Sequence, residues 1–393
     1  IWNGHYQGIA RANRAIDVLG RATFDQAVKN RYIGEVRYLR ALYYFDLVRM
    51  FGGVPLVLRV PPVSDLGSDE FNVRKSRDSV YAAIVADLQF AADNLPLKGE
   101  AGTQPGRANK GAAQALLSKV YLYQQNWQGA LDMSRAVIES GKYSLVTDYF
   151  SIFREAGNNN SESIFEVQTS SANCGLVSEL YSNSQGPRAK MGWNDIGFGF
   201  NVPTSDLVGA YEAGDTRKNA SIIFITPTVA GNSPGTVLFD GFRIPSQDSV
   251  ENPRYNYKVY HSNTAESPSC AGVGDKDKKP QNIRIMRYAE VLLIYAEAAA
   301  RLGLADGGDK LNQVRARANL APVAGTLDNV LKERRVELAL EGDRFFDLVR
   351  TGRAGTVLRA HGKAFVDNKN EVFPIPQPQI DLSGGRLTQN PGY

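Results

Sequence analysis

The chain has 393 residues, 43% of them hydrophobic and 22% charged, with a formal net charge of +4. That is ordinary globular composition with material for a large core, and the charge is too small and too dispersed to argue for a nucleic-acid partner. No apolar run approaches the ~18 residues of a membrane-crossing helix, and neither the two cysteines nor the three histidines stand at metal-site spacing.

The opening stretch, "IWNGHYQGIARANRAIDVL", reads as a helix already under way and hence as a cut-back N-terminus, so a missing leader carries no weight. "GEVRYLRALYYFDLVRMFGG" sets Val36, Leu39, Tyr43 and Leu47 at helical spacing and stops at Gly52-Gly53. "SRDSVYAAIVADLQFAADNLP" starts on Ser76 or Asp78 as an N-cap and ends at Pro96. In "NKGAAQALLSKVYLYQQNWQGALDMSRAVIESGKY" two helices flank a turn at Gln125-Asn126. Ala112, Ala115, Ala130 and Ala136 are small residues at the crossing, and Tyr121 sits near the first helix's end, as in a tetratricopeptide-type helix pair.

From about Ser151 the composition turns to Gly, Asn, Ser, Pro and Thr, with short strand-like runs "SIFEVQ" and "SIIFIT". Helices return at 283–302, 307–319 and 327–350, and the tail from Phe373 is proline-punctuated and extended. The expected fold class is therefore mainly α: a tetratricopeptide-like helical-repeat scaffold, an α-α superhelix, with a long loop-rich insertion containing short strands. The expected parts are 1–150, the N-terminal part of the scaffold; 151–282, the ligand-binding insertion; and 283–393, the C-terminal part with the tail. Long loops inside compact proteins are usually functional.

Several motifs tempt toward catalysis. "RYAEVLLIYAE" sets Glu290 and Glu297 on one side of an apolar helix. They stand about 10.5 Å apart along the axis, against roughly 5–9.5 Å between the carboxyl groups of a glycosidase pair. Arg287 and Arg301 share their stripe, so ion pairs of the scaffold are expected. Glu333, Glu337 and Glu341 form a second stripe among Arg334, Arg335, Arg344 and Arg350, read in the same way. "GNSPG" at Gly231–Gly235 fits a nucleophile elbow, but Pro234 has no N–H for an oxyanion hole. Gly197 and Gly199 lack the third glycine of a dinucleotide loop. Asp275 and Asp277 offer only half of a calcium loop. Cys174 and Cys270 stand as two free thiols or as one disulfide. No catalytic residue, metal or cofactor is expected.

The segments "EVRYLRALYYFDLVRMFGGVPLV", "GRANKGAAQALLSKVYLY", "IRIMRYAEVLLIYAEA", "LNQVRARA", "ERRVELALEGDRFFDLVRTG" and the final "FPIPQPQI" to "LTQNPGY" together resemble the SusD/RagB family, in that family's order. The resemblance implies a lipid-anchored protein on the exterior face of the outer membrane. It also implies a tetratricopeptide-type scaffold that caps a SusC-like TonB-dependent transporter and captures nutrients, most often oligosaccharides, without catalysis. The lipid-bearing cysteine would lie upstream of Ile1.

A sugar binder needs flat apolar faces and planar hydrogen-bonding groups. "GPRAKMGWNDIGFGFN" supplies Arg188, Trp193, Asn194, Asp195, Phe198 and Phe200 in one short run. The resemblance places ligand-contacting aromatics ahead of Leu207–Arg217, which favours Trp193 and Tyr181, with Trp2 as a second possibility. The expected ligand-binding residues are thus Trp193, Asn194, Tyr181, Trp2, Phe198 and Arg188. The rival functions are a peptide-binding RagB-like protein on the same scaffold and a helical-repeat glycan hydrolase.

Overall fold

The structure, a computed structural model, describes residues 1–170, 181–190, 193, 196–229, 234–267 and 279–393. It is mainly helical, with short strands in the loop-rich middle, and divides into two compact units: residues 1–142 with 345–393, and residues 143–344.

In the first unit α1 (Trp2–Arg21), α2 (Gln26–Phe51), α4 (Arg77–Asn94), α5 (Lys110–Tyr123) and α6 (Trp127–Glu139) each pack on the one before, with the one-turn α3 (Asp69–Asn72) between α2 and α4. Four starts carry the side-chain caps their sequence offers. Asp25, Ser76, Asn109 and Asn126 accept from the backbone N–H of Val28, Ser79, Ala112 and Gly129. Ala112, Ala115 and Ala130 are fully buried, and residues this small let the helix backbones approach. A buried ion pair ties α2 to α4. The Arg40 guanidinium donates two 2.7 Å bonds to Asp87, and a third of 2.6 Å to Asn13 of α1.

The rest of this unit is most of α13 (Arg344–Arg350), α14 (Ala354–Ala360) and the tail. The tail is not wholly extended: Gln377–Leu382 form α15. Pro378 falls in its first turn, where a missing N–H forfeits no helical bond. Arg74 and Asn390 hold the tail against the end of α2, where both donate to the Phe51 carbonyl and Arg74 donates to Asn390 Oδ1 at 2.5 Å.

In the second unit β1 (Ser163–Val167) pairs antiparallel with β6 (Ile283–Arg287), which runs directly into α10 (Tyr288–Leu302). Residues 283–287, expected as helix, are strand: "IRIMR" alternates, and β1 supplies the partner its backbone needs. α11 (Gly307–Arg317) and α12 (Leu327–Glu337) pack on α10. The helix expected over 327–350 is broken at Leu338–Asp343, where Leu340 and Gly342 take φ of 68° and 97°. Three small elements, α7 (Tyr181–Gln185), α8 (Ser205–Ala210) and α9 (Arg217–Ser221), join two short pairings. These are β2 (Ile222–Phe224) with β5 (Arg254–Asn256), and β3 (Thr236–Val237) with β4 (Arg243–Ile244).

Both of the paired carboxylates are buried in the helical part of the second unit. Glu290 is buried and accepts a 2.7 Å bond from Arg334, and Glu297 is fully buried in α10. The second stripe feeds a larger network, but with arginines from other elements than those beside it in sequence. Glu337 meets Arg217, Arg287 and Arg317 at 3.0, 3.0 and 2.5 Å, Glu333 meets Arg217 and Arg315, and Glu341 meets Arg287 and Lys258. Glu162 joins from the start of β1, accepting from Arg287 and Arg317.

Burial alone would raise the Glu337 carboxyl, but Arg317, Arg287 and Arg217 together hold it well below the usual carboxylate range, and Glu341 is lowered in the same way by Arg287 and Lys258. Their contribution is present above the unfolded-state pKa, about 4.3 for glutamate, and is lost as pH falls through the depressed folded values. Burial raises Glu333 instead, so its contribution has the opposite sign and fades as pH rises. The expected result is a urea midpoint clearly lower at pH 2.5 than at pH 5, the interval across which the lowered carboxylates take up protons. An equal or higher midpoint at pH 2.5 would contradict the network's role.

Candidate ligand-binding site

In the second unit, residues 181–190 and 196–200 are joined into a closed base by backbone hydrogen bonds. After α7 the chain turns back on itself. The N–H groups of Ile196, Phe198, Gly199 and Phe200 donate to the carbonyls of Pro187, Asn183, Gly186 and Ser184 at 2.8–3.2 Å. The two arms touch at Gly186 and Gly197. A Cβ at Gly197 would lie 2.4 Å from the Gly186 Cα, and one at Gly186 would lie 2.6 Å from the Ile196 carbonyl oxygen. The outer arm is fixed to the 249–251 segment through Lys190 N–H to Ser249 and Glu251 N–H to Arg188.

This loop positions four of the expected residues. Phe198 is 42% exposed, and its neighbour Phe200 is also exposed. Arg188 is exposed and pairs with Glu251 at 3.3 Å. Trp193 is half-buried: it packs against the cluster of Ile223, Leu238, Ile244 and Tyr255, and its indole N–H donates to the Ser249 carbonyl at 3.0 Å. The ring is therefore held in place while part of it faces solvent. Tyr181, 36% exposed, borders a separate niche of about 20 Å³ with Lys258, Gln281, Arg284 and Glu341. Asn194 lies outside the described residues, as do Asp195, Ser233, Cys174, Cys270, Asp275 and Asp277.

Trp2 belongs to the first unit. It is 6% exposed, with its ring against Tyr6 and Phe51 at centroid distances of 5.1 and 5.0 Å. It borders a cavity of about 450 Å³ with Tyr6, Gln7, Pro55, Phe71 and Gln379, but offers that cavity little ring face.

One group of residues escaped the sequence reading. The β3–β4 turn is locked by Leu238 N–H to Phe242 O and Gly241 N–H to Leu238 O, with Gly241 at φ 82°, and it lifts Phe239 to 43% exposure. Beside it a cavity of about 50 Å³ is bordered by Ser182 and Ile196 of the loop and by Asp240, Tyr260, Asn263 and Thr264. Burial works against the Asp240 carboxylate, but bonds from Ser262, Tyr260 and the Phe242 N–H hold it below the usual carboxylate range. The available signal was the Asp240-Gly241 turn between apolar residues. Nothing in the sequence joined it to the 260–264 segment.

In class, this is a helical scaffold protein that displays aromatic rings on a closed loop. Residues 161–393 match the SusD family, and residues 1–122 match a family described as starch-binding and associating with the outer membrane. The chain belongs to the SusD family. Among curated relatives, a SusD-like protein of Bacteroides ovatus is 29% identical over 88% of this chain, which spans 64% of that relative's length. SusD-like protein P2 of Formosa agariphila is 26% identical over 100% of this chain and 80% of its own. Among solved structures, a laminarin binding SusD-like protein superposes with a TM-score of 0.83 at 31% identity, covering 100% of this chain and 85% of that one. The surface glycan-binding protein A of Bacteroides thetaiotaomicron, in complex with laminarihexaose, gives 0.81 at 26% identity, covering 99% and 84%.

Proposed function

We propose that this protein binds neutral oligosaccharides at the cell surface, β-glucans of the laminarin type first among them, and passes them unchanged to a SusC-like TonB-dependent transporter. In this reading it stands on the exterior face of the outer membrane, held by a lipid anchor. Residues 151–282 form its ligand-binding insertion, with Trp193, Asn194, Phe198, Arg188 and Tyr181 as contacts and Trp2 as a second possibility. The observation that carries the reading is the closed loop itself: rings held by backbone bonds offer flat apolar faces without a large ordering cost on binding. The similarity to proteins named for laminarin and laminarihexaose supports the choice of glycan.

Calorimetry with laminarihexaose is the test. Saturable binding is expected, with no new reducing ends after prolonged incubation. Turnover that survives repurification and vanishes on mutating one carboxylate would refute binding without catalysis. Binding of peptides and of no glycan would favour the RagB-like alternative on the same scaffold.

A further inference from the structure

The turn of residues 261–267 supplies part of the wall of the small cavity by Asp240. Two carboxylates clasp it to Glu155. Glu266 accepts from the N–H of Ser262 at 2.8 Å and, across the contact, from the N–H of Glu155 at 2.6 Å. Glu155 in turn accepts from the N–H and the hydroxyl of Ser267, both at 2.6 Å. Bonds to a charged acceptor are the stronger kind, so the two carboxylates fix the turn although Asn263, Thr264 and Ala265 at its tip are exposed.

Inside the clasp stands His261, whose side chain is fully buried. Its Nε2 lies 2.8 Å from the Ser267 carbonyl oxygen. A carbonyl can only accept, so Nε2 carries the proton and Nδ1 is a bare acceptor. Nδ1 is buried without a hydrogen-bond partner. At 3.5 Å it faces Glu266 Oε2, the same oxygen that takes the Ser262 N–H. Two acceptors thus oppose each other, and a single proton would turn them into an ion pair. The other charged groups around the ring are Glu155 across the clasp, Asp240 on the β3–β4 turn and Lys279, whose ammonium donates to Asn263 at 3.0 Å. Tyr260 also borders the cavity, with its hydroxyl already given to Asp240. Burial outweighs the nearby carboxylates and holds the imidazole below its usual range.

We propose that His261 is an acid-sensitive latch: its neutral ring leaves Glu266 free to hold the turn closed, and a proton on Nδ1 draws that carboxylate off the Ser262 and Glu155 N–H groups and loosens the turn from Glu155. The sign follows from linkage. A ring that takes a proton more readily in the open turn stabilises the closed turn above its ordinary pKa of about 6.5, and that contribution is lost as pH falls below it. The latch goes beyond the glycan reading and does not depend on which ligand the neighbouring loop takes.

Two measurements on the full chain test it. The three histidines are His5, His261 and His361, so the His261 signals in an imidazole nitrogen NMR spectrum are assigned by elimination with His5→Gln and His361→Gln. At pH 7.5 the Nε2–H tautomer is expected, with a titration midpoint below the ordinary value of about 6.5. Amide exchange, corrected for its intrinsic pH dependence, is then followed at Glu155, Ser262 and Ser267. Protection there is expected to fall about fivefold between pH 7.5 and 5.5, out of the roughly tenfold that an ordinary histidine in the open turn allows, while protection in the β2–β5 pair stays as it is. His261→Gln, whose amide N–H can still reach the Ser267 carbonyl but takes no proton, should abolish the fall. An Nδ1–H tautomer, a midpoint at or above the ordinary value, or equal protection at the two pH values would overturn the latch, and all three are read without altering position 261. A fall that persists in His261→Gln would assign it to the carboxylates and overturn the latch as well.

Discussion

Replacing Glu337 by glutamine is expected to destabilise the protein by at least about 3–5 kcal/mol, the usual cost of breaking a single buried pair. Glu337 is fully buried and faces three guanidinium groups, those of Arg217, Arg287 and Arg317. An amide fills the same space but removes the negative charge and presents those cations with a partial positive edge. The remaining carboxylates, Glu162, Glu333 and Glu341, already have their own partners among the same cations. Urea denaturation followed by circular dichroism measures the effect. The exposed ion pair between Arg335 and Asp206 provides the control, since Asp206→Asn should cost no more than about 1 kcal/mol. Equal, small effects at the two positions would show that the network contributes little.

Trp193→Ala is expected to weaken laminarihexaose binding by at least about tenfold, or about 1.4 kcal/mol. The structure adds a second effect. Part of the indole packs on the Leu238 and Tyr255 cluster, and its N–H satisfies the Ser249 carbonyl, so the variant should also melt earlier, by roughly the 0.5–1.5 kcal/mol of a hydrogen bond plus lost packing. Calorimetry well below the melting transition separates the two. Trp193→Phe keeps a ring face without the N–H and should retain most of the binding. If Trp193→Ala binds normally while melting earlier, the residue is packing alone, and Phe198 and Tyr181 become the next rings to test.

Much of the helical scaffold could be read from local chemistry, because its helices announce their own ends. Ser76 caps α4 with its side chain, and Gly52 ends α2 at φ 73°. The failures came where a distant partner decides. Ile283–Arg287 look helical beside α10 until β1 supplies a strand to pair with. Leu340 gives no local hint that it takes φ 68°, a conformation unfavourable for a bulky side chain. It is held there by packing near Tyr211 and Val336 and by a bond from Asn201 to its carbonyl. The site divides in the same way. Rings and polar groups in one run, such as Arg188 to Phe200, were visible together. The cavity by Asp240 is built from segments that only folding brings together, so its parts carried no joint signal.

The contact between Gly186 and Gly197 makes the loop modular. Because neither position can take even a methyl group without displacing backbone, these two residues act as the fixed ends of an interchangeable cassette. Change can be concentrated between Pro187 and Ile196, where Arg188, Trp193 and Asn194 lie, while the hydrogen-bonded base stays as it is. Exchanging that cassette while keeping the core contact of Trp193 is then a route to a different ligand preference that leaves the buried charge network untouched.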